Sequence, residues 1–308
     1  MNAITPIKLE RIKLFLALSR TPHGVLDMAT PAFAVLIYLQ AFPSLRVILI
    51  GLLTAFAGYT AVYAFNDIID FRSDRKRFSQ PQADTGGYLD SIMVRHPMAQ
   101  GLLSLKEGIF WAVGWSVVAV VGAYLLNPVC VLIFLAGAAL ETVYCLLWRV
   151  SPLRAIVSGF VKNMGAVAAI FAVDPYPSPV FLLLLFLCLF FWEIGGQNIP
   201  ADWTDIEEDR RFDAKTIPVR LGEEKSAALA LGCLVLAVLL GAILFTIGFS
   251  HWKWMAAVPL VLLIGFLLLL RPALKLYQTK QRESAMALFN KASYFPLSML
   301  ITSFILIF

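Results

Sequence analysis

The residues best suited to chemistry are two sets of acids. One stretch reads Asn66-Asp67-Ile68-Ile69-Asp70-Phe71-Arg72-Ser73-Asp74, the other Asp202-Trp203-Thr204-Asp205-Ile206-Glu207-Glu208-Asp209. In both, the aspartates are separated by three and then four residues, which on a continued helix puts each trio on one face. Three carboxylates on one face repel one another, so helix stability explains the pattern poorly and a neutralising cation explains it well. Mg²⁺ suits such a site, because it favours a few carboxylates together with phosphate oxygens and retained water. Two clusters then suggest a grip on the metal ions of one diphosphate from opposite sides, with Arg72, Arg77, Arg210, Arg211 and Lys215 placed to meet the remaining phosphate oxygens. A single stripe of this kind is as well read as solvated loop charge; the repetition at identical spacing favours the ligand reading. It also points to an internal duplication, around 45–106 and 179–225, within a single domain covering 1–308.

The elements that must position these acids are apolar. The chain is 60% hydrophobic and 15% charged, with a mean hydropathy of +0.80, far from the balance of a soluble domain. Stretches of about 20 residues, long enough to cross the hydrocarbon core, fall near 22–42, 45–65, 107–126, 128–148, 153–173, 179–199, 226–249, 253–270 and 286–307. Pro43, Pro128, Pro152, the 174–179 proline run and Pro272 punctuate them. The expected fold is therefore an all-α membrane protein of nine transmembrane helices. Basic residues gather at 8–20, 72–106, 149–154, 210–225 and 271–291, while the opposite loops hold only Arg46 and Lys253. That asymmetry predicts a cytoplasmic N-terminus, an outer C-terminus and both acid motifs facing the cytoplasm. The net charge of +5 reflects topology and gives no support to nucleic-acid binding. The basic first residues precede an apolar stretch too long for a signal peptide and lacking a small-residue cleavage site, so the N-terminus is expected to be retained. Cys130, Cys145, Cys188 and Cys233 sit in apolar runs without metal or disulfide spacing and read as packing residues.

Several polar residues fall inside spans. Lys162 and Asn163 are costly there, so a role in diphosphate or acceptor contact is one reading and, for Lys162, pairing with Glu141 or Glu193 the other. Tyr144 offers a ring face to a carbocation or a hydroxyl to an acceptor, or is a packing residue. Asn198, four residues before Asp202, shares its face and is a substrate-contact candidate, and Gly195-Gly196 allows a close backbone approach. His23, His96 and His251 lack metal-ligand spacing and are not assigned to the site.

Together these residues resemble the UbiA superfamily of intramembrane prenyltransferases. The resemblance rests on NDxxDxxxD at Asn66–Asp74 and DxxDxxxD at Asp202–Asp209, on Leu18-Ser19-Arg20-Thr21-Pro22, and on Arg95-His96-Pro97 with Gly101-Leu102-Leu103-Ser104. Further matches are Tyr144 ahead of Arg149, Pro152 and Gly159, and Asp205-Ile206-Glu207-Glu208-Asp209-Arg210-Arg211 followed by Lys215-Thr216-Ile217-Pro218-Val219-Arg220-Leu221-Gly222. Two departures stand out: the long stretch Phe78–Met93 before Arg95, and Phe212-Asp213-Ala214 in place of a glycine-containing turn.

The resemblance implies helices ringed around a central cavity, with cytoplasmic cap helices from the 2–3 and 6–7 loops. It implies Mg²⁺ as cofactor, held by Asn66, Asp70, Asp74, Asp205 and Asp209, with Asp67 and Asp202 binding directly or through water. Asp70, Asp205, Lys162 and Tyr144 would be catalytic; Arg72, Arg77, Lys162, Asn163, Asn198, Arg210 and Lys215 would bind substrate. The implied reaction joins a prenyl group from a prenyl diphosphate to a small electron-rich acceptor, and the Asp205–Arg211 stretch tilts the acceptor towards quinone-type aromatics. Alternatives are a membrane terpene cyclase of the same superfamily and a divalent-cation transporter, whose acids should lie nearer mid-membrane. Membrane lipid is the expected surrounding, in a prokaryotic plasma membrane, and nothing points to an obligate protein partner.

Overall fold

A computed structural model of the protein describes residues 5–78, 92–249 and 253–307. Regular structure among them is entirely helical. The elements are α1 (Thr5–Leu18), α2 (Thr21–Asp27), α3 (Ala29–Leu39), α4 (Leu45–Phe78), α5 (Leu105–Leu126), α6 (Pro128–Leu146), α7 (Arg154–Val173) and α8 (Pro179–Trp192). They continue with α9 (Ile199–Thr204), α10 (Ile206–Arg211), α11 (Ile217–Gly248), α12 (Lys253–Gly265), α13 (Arg271–Thr279), α14 (Arg282–Ser293) and α15 (Phe295–Ile307). The starts follow local chemistry. Ser104 and Glu107 close a reciprocal capping box on α5, and Asn127 caps α6 ahead of Pro128, whose missing N–H costs nothing at a first helical position.

Among the described residues, eight helical stretches are long and apolar enough to cross a membrane. The sequence predicts nine, and the difference lies at the C-terminus. The expected span 286–307 is divided between α14 and α15, which meet at Tyr294, so neither part has spanning length. Helices α4 to α8 pack in succession, α8 lies against α11, and α15 packs on α3, which also meets α7. The outer faces carry exposed apolar side chains such as Leu49, Leu53, Phe110, Val117 and Leu132, as lipid-facing helices do. A large buried apolar cluster gathers around α8 and α11 and includes Trp192, Trp203 and Phe245. All four cysteines are buried and unlinked, in keeping with a packing role.

The expected polar segment 200–225 is itself mostly helical. It holds α9, α10 and the first turn of α11, which kinks at Gly222 with φ 78, a conformation glycine adopts without strain. The missing glycine of the 212–214 turn is also accounted for. Asp213 takes φ 56, the left-handed region in which aspartate is one of the tolerated residues. Most of the long stretch Phe78–Met93 lies outside the described residues, as does His251.

Candidate active site

The first acid motif rides on α4 without interruption. Tyr59, Tyr63, Asn66, Asp67, Asp70 and Asp74 recur at helical spacing on one face, and all line a single cavity of about 930 Å³. Asp67 and Asp74 are almost wholly buried. The second motif reaches the same cavity by a different backbone. Beyond α8 the helix widens into a π segment, Glu193–Asn198, a form common at functional sites. Gly195 lets this segment press against α11, since a Cβ there would lie 2.7 Å from the Ala230 carbonyl oxygen and 2.9 Å from the Cys233 Cβ. Instead of continuing as one helix, the motif then breaks at Asp205 (φ −106, ψ 11) and restarts as α10. Asp202, Asp205 and Asp209 nevertheless all line the cavity. Asp209 accepts from Trp148 Nε1 at 3.2 Å and from Thr216 Oγ1 at 3.0 Å.

Two consecutive residues tie the motifs together. Arg95 Nη2 donates to Asp205 Oδ2 at 3.1 Å, while His96 Nδ1 lies 3.0 Å from Asp67 Oδ1 and 3.1 Å from Asp74 Oδ2. The two acid trios therefore open on one shared space. Arg20 adds a contact to Asp67 at 3.5 Å. Burial alone would lower the pKa of His96, but the Asp67 and Asp74 carboxylates outweigh it and hold the imidazole up to about 9. Asp67, Asp74 and His96 have a spacing that would also suit a metal. A protonated ring has no lone pair to give, so His96 is read as the cation pairing with both acids.

This geometry corrects several sequence expectations. Arg72 follows Asp70 by two residues, about 200° round the helix, and is exposed off the cavity; Arg210 is exposed and pairs with Glu207 at 3.3 Å. Lys215 also lies off the lining, its backbone N–H donating to the Trp148 carbonyl. Nothing is described of the Arg77 side chain. The basic residues that do line the cavity near the acids are Arg20, Arg95, His96 and Arg154. Asn163 is fully buried away from the cavity and donates to the Gly159 carbonyl at 2.7 Å. Lys162 does line the cavity, but its partner is Asp27 at 2.7 Å, neither Glu141 nor Glu193.

Tyr144 and Asn198 meet across the cavity, Asn198 Nδ2 donating to the Tyr144 hydroxyl at 3.4 Å. The Arg154 guanidinium sits 4.2 Å from the Tyr144 ring centroid, so one ring face already holds a cation. Asn66 donates its amide to Glu141 at 2.6 Å, which leaves its carbonyl oxygen as the end suited to a hard cation. Farther from the acids the lining becomes apolar, with Val47, Leu126, Phe134, Leu300 and Phe304. Sequence reasoning assigned no role to His23, His96, Arg95, Arg154 or Asp27. For Asp27 a signal existed: a lone acid inside a predicted span is expensive and calls for a partner.

Residues 28–295 match the UbiA prenyltransferase family. The chain belongs to this family. The 4-hydroxybenzoate octaprenyltransferase of Neisseria gonorrhoeae is 26% identical over 275 residues, 86% of each chain. The digeranylgeranylglyceryl phosphate synthase of Thermococcus kodakarensis is 22% identical over 215 residues, covering 70% of this chain and 71% of its own length. A UbiA homologue from Archaeoglobus fulgidus, solved bound to GPP and Mg²⁺, superposes with a TM-score of 0.68 at 17% identity, over 96% of this chain and 99% of its own. At that identity the likeness is one of fold. This UbiA family member is an integral, multi-pass membrane protein of the alkyl-transferring class, and its acid-lined cavity is the feature that such chemistry would use.

Proposed function

We propose that the protein transfers a prenyl group from a prenyl diphosphate, bound through Mg²⁺, to an electron-rich aromatic acceptor of the quinone-precursor type. The observation that carries this reading is the convergence of both aspartate trios, bridged by Arg95 and His96, at one end of an otherwise largely apolar cavity. Six carboxylates and the Asn66 carbonyl form a hard oxygen donor set that fits Mg²⁺ and fits softer metals poorly. When bound, Mg²⁺ would neutralise charge on the leaving diphosphate and so favour ionisation of the allylic C–O bond. Asp70 and Asp205 lie at the centre of the two trios and carry the largest share; Asn66, Asp67, Asp74, Asp202 and Asp209 complete the set. Arg20, Arg95 and Arg154, which line the cavity, take the phosphate-facing role expected of Arg72, Arg210 and Lys215. Tyr144 and Asn198 line the space beside the reacting carbon, Tyr144 offering its second ring face to an allylic cation. The apolar far end holds the prenyl tail and keeps water from capturing the cation.

In the same reading the helices form a nine-span ring, with α14 and α15 together making the ninth span and α9–α10 part of a cytoplasmic cap. The N-terminus is inside, the C-terminus outside, and the acids face the cytoplasm of a prokaryotic plasma membrane, as the distribution of basic residues suggests. The relatives divide between an aromatic and a glycerophosphate acceptor by name, and the Asp205–Arg211 stretch favours the aromatic side. The test is incubation of purified protein and Mg²⁺ with labelled prenyl diphosphates and a panel of acceptors, reading diphosphate release and product mass. Prenylated phenol is the expected product. Diphosphate release that never requires an acceptor would replace transfer by cyclisation or hydrolysis.

A further inference from the structure

One helical turn beneath the acid motifs lies a charged cluster that diphosphate binding does not use. Lys162 Nζ on α7 donates to Asp27 Oδ2 on α2 at 2.7 Å, and the Tyr63 hydroxyl on α4 donates to the same oxygen at 2.5 Å. Lys162 Nζ also lies 3.1 Å from the Tyr63 hydroxyl oxygen. The other oxygen, Asp27 Oδ1, lies 3.8 Å from His23 Nε2. Asp27, His23, Tyr63 and Lys162 all line the cavity, with Tyr59 and Glu193 the other titratable groups near Asp27. Three helices thus converge to hold one buried carboxylate among polar and charged partners, an expensive arrangement that packing alone does not call for.

Its depth suggests what the carboxylate is for. Tyr63 precedes Asp67 by four residues on α4, a rise of about 6 Å. A diphosphate held by the acid trios would place its carbon end at the level of this cluster. With Oδ2 occupied by Lys162 and Tyr63, Oδ1 is the oxygen left to take a proton.

We propose that Asp27 is the proton acceptor that completes aromatic prenylation, positioned by Lys162 and Tyr63; this rests on the aromatic-transfer reading above. In the step, the allylic carbon has bonded to a ring carbon of the acceptor, which then carries both hydrogen and prenyl group. The C–H bond breaks, its electron pair restores the aromatic ring, and the proton passes to Asp27 Oδ1. The departing diphosphate then takes that proton, returning Asp27 to its carboxylate form. A positioned general base of this kind is worth about 10²–10⁴ in rate.

The experiment uses full-length protein, Mg²⁺, geranyl diphosphate and 4-hydroxybenzoate, with and without deuterium at the two ring carbons flanking the C–O bond. Asp27→Asn is compared with the double variant Asp27→Asn/Lys162→Met, which removes both charges and leaves no unpaired lysine. Both should lose about 10²–10⁴ in kcat with little change in KM for geranyl diphosphate. The residual turnover of both should slow on deuteration, while the wild type shows no such effect. Recovery of the double variant to within about tenfold of wild type, or residual turnover indifferent to deuterium, would reduce Asp27 to a counter-ion and overturn the proposal. Failure of the wild-type protein to prenylate 4-hydroxybenzoate would instead strike the aromatic-transfer reading beneath it.

Discussion

The two acid motifs share a spacing and differ in backbone. Asp67, Asp70 and Asp74 ride one unbroken helix, whereas Asp202, Asp205 and Asp209 follow a π segment, a proline at position 200 and a helix break at Asp205. Their partners differ as well. Asp67 and Asp74 of the first trio meet Arg20 and His96; in the second, Asp205 pairs with Arg95, while Asp209 also accepts from neutral donors, the Trp148 indole and the Thr216 hydroxyl. The spacing records which donors are required, while the backbone records what each side packs against. α4 faces the cavity with room to spare, so an ordinary helix serves. The second motif follows a segment threaded between α11 and α14, where a Cβ on Gly195 or Gly196 would lie within 3.0 Å of Ala230, Cys233 or Ala292.

If the two motifs are equal halves of one metal site, breaking either should have the same result despite the unequal backbones. Asp70→Ala and Asp205→Ala are each expected to lower turnover by at least about 10³-fold, the scale of losing a principal charge-stabilising group. Chelation of Mg²⁺ should match them, all three read as diphosphate release by detergent-solubilised protein. Retention of activity within about tenfold by one variant alone would make that motif an accessory and end the symmetry.

The sequence made the donor set legible and left its surroundings hidden, for a physical reason. Acids at helical spacing are a local signal, and glycines beside them announce a close approach, as Gly195-Gly196 does. Apolar length likewise gave the helical membrane fold, and the resemblance the helical character of 199–211; the divided C-terminal segment left no mark in hydropathy. Charge pairing across the fold is not local. His96 meets Asp67 and Asp74 from a loop, and Lys162 finds Asp27 at a separation of 135 residues. No periodicity foretells either contact. Arg72 and Arg210 show the reverse error: they are adjacent to the motifs in sequence yet on the wrong side of their helices.

The packing contrast has its own test. Gly51 on α4 has nothing within 4 Å of an added Cβ, while at Gly195 the same Cβ would meet the Ala230 carbonyl oxygen at 2.7 Å. Gly51→Ala should therefore leave stability unchanged or raise it by up to about 1 kcal/mol, through helix propensity. Gly195→Ala should cost about 1–3 kcal/mol, the usual penalty of overpacking. Thermal unfolding of the two variants in the same detergent separates them. Equal midpoints would show that the second motif is no more tightly packed than the first.

The smallest effects should differ in sign, because the partners differ in charge. Thr216→Val removes a neutral hydrogen bond that orients Asp209. Such a bond is worth about 0.5–1.5 kcal/mol, so the Mg²⁺ concentration for half-maximal turnover should rise by roughly 2- to 13-fold. His96→Gln removes a cation that pairs with Asp67 and Asp74, the carboxylates a metal would use. Like charges compete for the same acids, so half-maximal turnover should then need less Mg²⁺, even if the maximal rate falls. Titrating activity against Mg²⁺ at fixed pH for both variants reads the two signs directly. A shift in the same direction would mean that His96, like Thr216, merely orients its carboxylates, and that the motifs differ in backbone alone.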